Sequence, residues 1–129
     1  MLQAVHHIAI ICVDYERSKT FYTEVLGLQI IREVYREERD SWKLDLALGD
    51  QYVIELFSFP DPLPRPSHPE ACGLRHLAFA VNDIIAAVET LHSRGVVTET
   101  IRIDPYTGKR FTFFTDPDGL PLELYEIQP

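Results

Sequence analysis

The sequence predicts an α+β fold made of two consecutive βαβββ modules, and three observations carry that expectation. The first is an internal repeat: His7-Ile-Ala-Ile-Ile-Cys-Val-Asp14 matches His76-Leu-Ala-Phe-Ala-Val-Asn-Asp83 in its opening histidine, apolar run and closing acid. The second is a helical pattern after each acid. Ser18, Phe21, Tyr22, Val25 and Leu26 share one helical face before Gly27, and Ile84, Val88 and Leu91 do the same before Gly95. The third is a set of three strand-like runs after each helix.

Taken in order, Asp14 is the predicted N-cap of the first helix, and Asn82 or Asp83 that of the second. The runs after the first helix cover about 29–37, 42–48 and 51–58, with Gly49-Asp50 as the last turn. Those after the second cover about 96–103, 109–115 and 121–127, with Asp116-Pro-Asp-Gly119 as the turn. The closing strands also match, Val53-Ile-Glu-Leu-Phe57 against Pro121-Leu-Glu-Leu-Tyr125. The chain then divides into module one at about 1–58, a proline-rich semi-rigid linker at about 59–72, and module two at about 73–129.

Strand alternation identifies candidate site residues, because positions i, i+2 and i+4 share a face. His7 shares its face with Ala9 and Ile11, and His76 with Ala78 and Ala80, so the histidine side carries little bulk. Glu55 and Glu123 stand mid-strand in apolar runs, at equivalent places in the repeat. A carboxylate there is costly unless it is paired or meets a cation. His7, Glu55, His76 and Glu123 together make a donor set for one divalent ion: Zn, Ni, Co, Mn or Fe, with Zn or Ni favoured. His6 is the rival, but parity points it away, and Arg75 takes its place in the second copy. His68 and His92 read as solvated, as does the hairpin Arg36-Glu-Glu-Arg-Asp40; Trp42 reads as core or cleft wall.

These residues resemble the vicinal oxygen chelate superfamily, above all its small glyoxalase I-like members. The likeness runs through His7-Ile-Ala-Ile10, Ser18-x-x-Phe-Tyr22, Leu26-Gly27, Val53-Ile-Glu-Leu56, Arg75-His-Leu-Ala78 and Asp116-Pro-Asp-Gly-x-Pro-Leu-Glu-Leu124. It implies paired βαβββ modules curling round a metal-containing cleft, with His7, Glu55, His76 and Glu123 as ligands. It also implies a lyase or isomerase in which the metal stabilises an enediolate and Glu123 or Glu55 is the general base. The alternatives are a non-catalytic small-molecule binding or resistance protein of the bleomycin-resistance type, although such members typically lack the ligands, and an extradiol-type dioxygenase, although these lack a carboxylate where Glu55 stands. Glyoxalase I has an arginine and an asparagine where this chain has Ile11 and Phe59, so the glutathione grip is expected to be lost.

Composition narrows the partners. A formal net charge of −8 argues against nucleic acid and anionic membranes. No apolar run spans a bilayer, the N-terminus has no signal-peptide pattern, and Cys12 and Cys72 form no disulfide framework. The expectation is a cytoplasmic, small-molecule-binding homodimer, because sheet edges need cover and superfamily members of this kind dimerise. In the loop Asp104-Pro-Tyr-Thr-Gly-Lys-Arg110, the residues Lys109, Arg110 and Tyr106 are candidate substrate contacts, the two cations as an anion clamp and Tyr106 as a side wall.

Overall fold

The structure is a computed structural model that describes residues 1–128, with Pro129 outside the described residues. The chain resolves into two compact units, Met1–Pro64 and Arg65–Pro129. Unit one contains β1 (Ile8–Cys12), α1 (Tyr15–Thr20), β2 (Gln29–Arg36), β3 (Ser41–Leu48) and β4 (Gln51–Ser58). Unit two contains β5 (Leu77–Val81), α2 (Ile84–Ser93), β6 (Arg102–Ile103), β7 (Arg110–Thr115) and β8 (Pro121–Glu126). Each unit forms a four-stranded sheet of the same topology, β1-β4-β3-β2 and β5-β8-β7-β6. The α+β architecture with two βαβββ modules is therefore present.

Both helices begin as the sequence predicts. The Asp14 and Asp83 side chains accept from the backbone N–H of Arg17 and Ala86, which settles the second cap on Asp83. The first helix departs from α geometry at Phe21–Val25, which winds as a π-helical turn closed by Leu26 N–H donating to Phe21 O. Both helices end on glycines in the left-handed region, Gly27 at φ 80 and Gly95 at φ 82, where a Cβ would be strained.

One face of each sheet holds the core. Leu44, Leu46, Ile54 and Leu56 are fully buried in unit one, joined by Ile10, Cys12 and Tyr22. Leu122, Leu124, Thr112, Phe114 and Ile84 play that part in unit two. A buried aliphatic side chain of this kind contributes about 1.5–3 kcal/mol. Because side chains alternate, burying Ile54 and Leu56 puts Glu55 and Phe57 on the opposite face, and burying Leu122 and Leu124 does the same for Glu123 and Tyr125.

The expected strand at about 96–103 shortens to Arg102–Ile103. Before it, Glu99 N–H still donates to Phe113 O of β7 at 2.9 Å, but the neighbouring groups bond in other ways. Val96 N–H closes the end of α2 on Leu91 O, the Thr98 hydroxyl meets His92 Nε2 at 3.0 Å, and the Thr112 hydroxyl donates to Glu99 O. The segment 37–39 is a tight turn between β2 and β3, closed by Asp40 at φ 44.

Candidate metal centre

Two parallel strand pairs create matching half-sites. β1 lies beside β4 with Ala9 opposite Glu55, and β5 lies beside β8 with Ala78 opposite Glu123. In each unit the histidine stands two residues ahead of the alanine, so its side chain shares that face and reaches diagonally to the carboxylate. His7 Nε2 is 3.2 Å from Glu55 Oε2, and His76 Nε2 is 4.0 Å from Glu123 Oε2. The histidine side chains are 33% and 32% exposed and the glutamates 16% and 13%, so both pairs are sheltered yet reachable. Among the described residues, no three or more His, Cys, Asp or Glu side chains come together as a group that could hold a metal.

The first half-site is braced by polar groups. The Tyr52 hydroxyl donates to Glu55 Oε2 at 2.8 Å, and Lys43 Nζ lies 3.6 Å from the same oxygen. Lys43 also donates to Asp45 at 2.6 Å, and Arg32 donates to Asp45 through two nitrogens at 2.7 and 3.0 Å. Burial alone would raise the Asp45 carboxyl, but Lys43, Tyr52 and Arg32 outweigh it and hold it below its ordinary value. Burial pushes the Tyr52 hydroxyl up, and its bonds to Asp45 and Glu55 add to the shift, so it remains a donor. His6 Nδ1 sits 2.8 Å from His7 Nδ1. With the proton on His7 Nδ1, Nε2 presents its lone pair beside Glu55. His7 thus faces Glu55, while His6 touches the far side of the His7 ring.

The second half-site is walled by aromatic rings. The β7 partner of Glu123 is Phe113, whose ring meets His76 edge-on at 5.2 Å, and Phe111 stacks on Tyr125 at 6.5 Å. Among the described residues Glu123 accepts no hydrogen bond. Desolvation raises its carboxyl above the ordinary glutamate value, against the opposing pull of His76.

The loop before β7 is tied to its own unit. Arg110 grips Glu126 through two nitrogens at 2.7 and 2.8 Å, and Glu126 also accepts from the backbone N–H of Ile84 at the start of α2. The sequence cannot reveal this lock, because Glu126 looks like one more polar residue at a strand end. Lys109 Nζ donates to Ile127 O at 3.2 Å, and Tyr106 is fully exposed.

Residues 37–40 of the hairpin are exposed, as the sequence predicts, and its two arginines lie against aromatic rings. The Arg36 guanidinium lies over the Phe57 ring at 4.8 Å, and Arg39 over Phe59 at 5.2 Å. Trp42 stacks flat on Tyr15 at 5.3 Å, on the helix side of the sheet edge.

Residues 4–124 match the model of the glyoxalase/bleomycin resistance protein/dioxygenase superfamily. The chain belongs to that superfamily. It is 71% identical to the uncharacterized protein YaeR of Escherichia coli, covering 97% of each chain. It is 32% identical to a 2-epi-5-epi-valiolone epimerase from an Actinomyces species, over 96% of this chain and 79% of the other. It is 26% identical to a probable lactoylglutathione lyase of Vibrio parahaemolyticus, over 88% and 83% of the two. Among solved structures, a glyoxalase family protein from Enterococcus faecalis superposes with a TM-score of 0.90 at 49% identity, over 96% and 98% of the two chains. No helix is long and apolar enough to cross a membrane.

Proposed function

We propose that His7, Glu55, His76 and Glu123 together hold one divalent ion, Zn or Ni first among the candidates, in a lyase or isomerase that acts on a small molecule with neighbouring oxygens. The observation that carries this reading is the shared register: each unit sets one imidazole beside one half-buried carboxylate, next to a strand alanine. Two imidazoles and two carboxylates suit a borderline divalent ion, and the carboxylates balance its charge. The epimerase and lyase among the relatives support the reaction class.

The ion, when bound, supplies Lewis acidity to two adjacent substrate oxygens. The chain's own groups do the rest. Glu123 is not tied by hydrogen bonds among the described residues, so its carboxylate can turn to take a proton from the carbon beside a substrate carbonyl and return it. Glu55 is pinned by Tyr52 and keeps its oxygen in place. Phe111 and Phe113 limit water around Glu123. Ile11 and Phe59 offer no hydrogen bonds to a glutathione conjugate, so the substrate differs from that of a dedicated glyoxalase. The exposed apolar side chains Ile30, Ile31, Val34 and Tyr35 on edge strand β2 support assembly as a homodimer.

The test is deuterium exchange beside the carbonyl in a panel of α-hydroxy carbonyl compounds, followed by NMR in D2O with metal-loaded and chelator-treated protein. Metal-dependent exchange of at least one compound is expected, with turnover of the methylglyoxal–glutathione hemithioacetal far below a dedicated glyoxalase. Saturable binding without exchange in every case would favour a non-catalytic binding protein instead.

A further inference from the structure

The open face of the first sheet carries a second feature beyond its half-site. Phe57 follows Glu55 by two residues on the same face, about 7 Å further along β4. Phe59 stacks on Phe57 at 5.9 Å. Arg36 lies over both rings, 4.8 Å from Phe57 and 5.6 Å from Phe59, and Arg39 lies over Phe59 at 5.2 Å. Arg36 Nη2 donates to the buried Ser41 hydroxyl at 2.9 Å, which fixes the fork, while its Nε is buried with no acceptor.

What sets this pair apart is that both guanidiniums lie over adjacent rings without a carboxylate partner among the described residues. Arg32, Arg75, Arg102 and Arg110 each pair with a carboxylate. Arg36 and Arg39 have no ion pair among the described residues, although Glu37 and Glu38 lie between them and the chain carries net charge −8. A guanidinium laid flat on an aromatic ring keeps its edge N–H groups free for a planar oxyanion. Two such cations beside the exposed Ile11 and the half-buried Phe57 and Phe59 make a place for an anionic group on a short carbon spacer.

We infer that Arg36, assisted by Arg39, binds a carboxylate or phosphate of the substrate, whose neighbouring oxygens would meet the proposed metal site beside Glu55, two residues along β4 from Phe57. The substrate class is thus a small organic acid or phosphate ester bearing vicinal oxygens. This deepens the proposed function and rests on its metal site. It moves the expected anion contact from the Lys109–Arg110 loop, where Arg110 is committed to Glu126, to the turn between β2 and β3.

Two arms test it separately from the metal reading. In the first, chelator-treated protein is titrated with inorganic phosphate and with succinate while the Arg36 Nε–H and neighbouring amide NMR signals are followed. Saturable shifts centred on residues 36–42 are expected in the native protein and absent in Arg36→Gln. Their absence in the native protein overturns the anion site whatever the metal does. In the second, Zn-loaded protein binds acetohydroxamate, which chelates only, and two hydroxamates that add a carboxylate or a phosphate. The anionic probes should bind about 10–100-fold more tightly, with the better of the two identifying the group. That ratio should collapse toward one in Arg36→Gln, fall partway in Arg39→Ala, and recover in part in Arg36→Lys. An unchanged ratio in Arg36→Gln overturns the inference. Acetohydroxamate binding that ignores the metal would instead defeat the metal site, leaving the first arm to decide the anion site. Unfolding midpoints of the variants show that the fold is kept.

Discussion

Glu55 and Glu123 sit at the same register position in their sheets, beside Ala9 and Ala78, yet their surroundings are opposite in character. Glu55 is gripped by Tyr52, approached by Lys43 and backed by the buried Asp45. Glu123 faces His76 across 4.0 Å, in a pocket of phenylalanines. A repeat that starts symmetric has thus diverged around a common pair. The cross-strand neighbours did it: Asp45 stands opposite Glu55 where Phe113 stands opposite Glu123. Under the proposed function, the difference becomes a division of labour between a pinned carboxylate that would hold the ion and a loose one that would move a proton.

The largest expected effect separates those roles. Glu123→Gln should lower kcat for proton exchange by about 10²–10⁴-fold, as loss of a general base does. Glu55→Gln should act mainly through weaker metal binding, so excess metal should recover more of its activity. Steady-state rates at rising metal concentration check this. Equal, metal-insensitive losses in both would break the distinction.

The core should respond symmetrically where the sites do not. Leu56→Ala and Leu124→Ala remove equivalent buried side chains, and each should destabilise by about 2–5 kcal/mol in urea unfolding. The loss should be slightly larger at the fully buried Leu56 than at Leu124, which is 6% exposed.

Smaller effects sharpen the comparison. Tyr52→Phe removes the bond that pins Glu55 and should weaken metal affinity about ten-fold, the scale of a lost supporting contact. In unit two, the Arg110 guanidinium and Ile84 N–H hold the Glu126 carboxyl below its ordinary value. A depressed carboxyl stabilises the fold above the unfolded-state value and loses that contribution as pH falls through the folded one. Stability should therefore decline as pH falls below about 4.5, the ordinary glutamate value, and Arg110→Ala should flatten that decline. Unfolding midpoints measured across acidic pH read the slope directly.

Much of this was legible before any coordinates. The repeat, a strand period of two and the alanines flanking His7 and His76 place one imidazole and one carboxylate on each open face, and the structure sets each pair within 4.0 Å. The bracing of Glu55 was not legible. It depends on the β3–β4 register, which shifts between Leu46 and Ala47, so no spacing in the sequence pairs Asp45 with Glu55. The same holds for Arg36, whose charged context reads as solvated until Phe57 and Phe59 are seen beneath it. The short β6 is not legible either, because Glu99 is tied to β7 by its N–H on Phe113 O and by the Thr112 hydroxyl on its carbonyl, which leaves no periodic trace.

The most direct test of the proposed one-ion reading is stoichiometric. Native protein, Glu55→Gln and Glu123→Gln should each be dialysed against Zn²⁺ or Ni²⁺ and assayed for bound metal and affinity. The account predicts about one ion per chain in the native protein, with tight binding lost in either variant because both half-sites serve the same ion. Two ions per chain, or a variant of one half-site that keeps native stoichiometry and affinity, would contradict it.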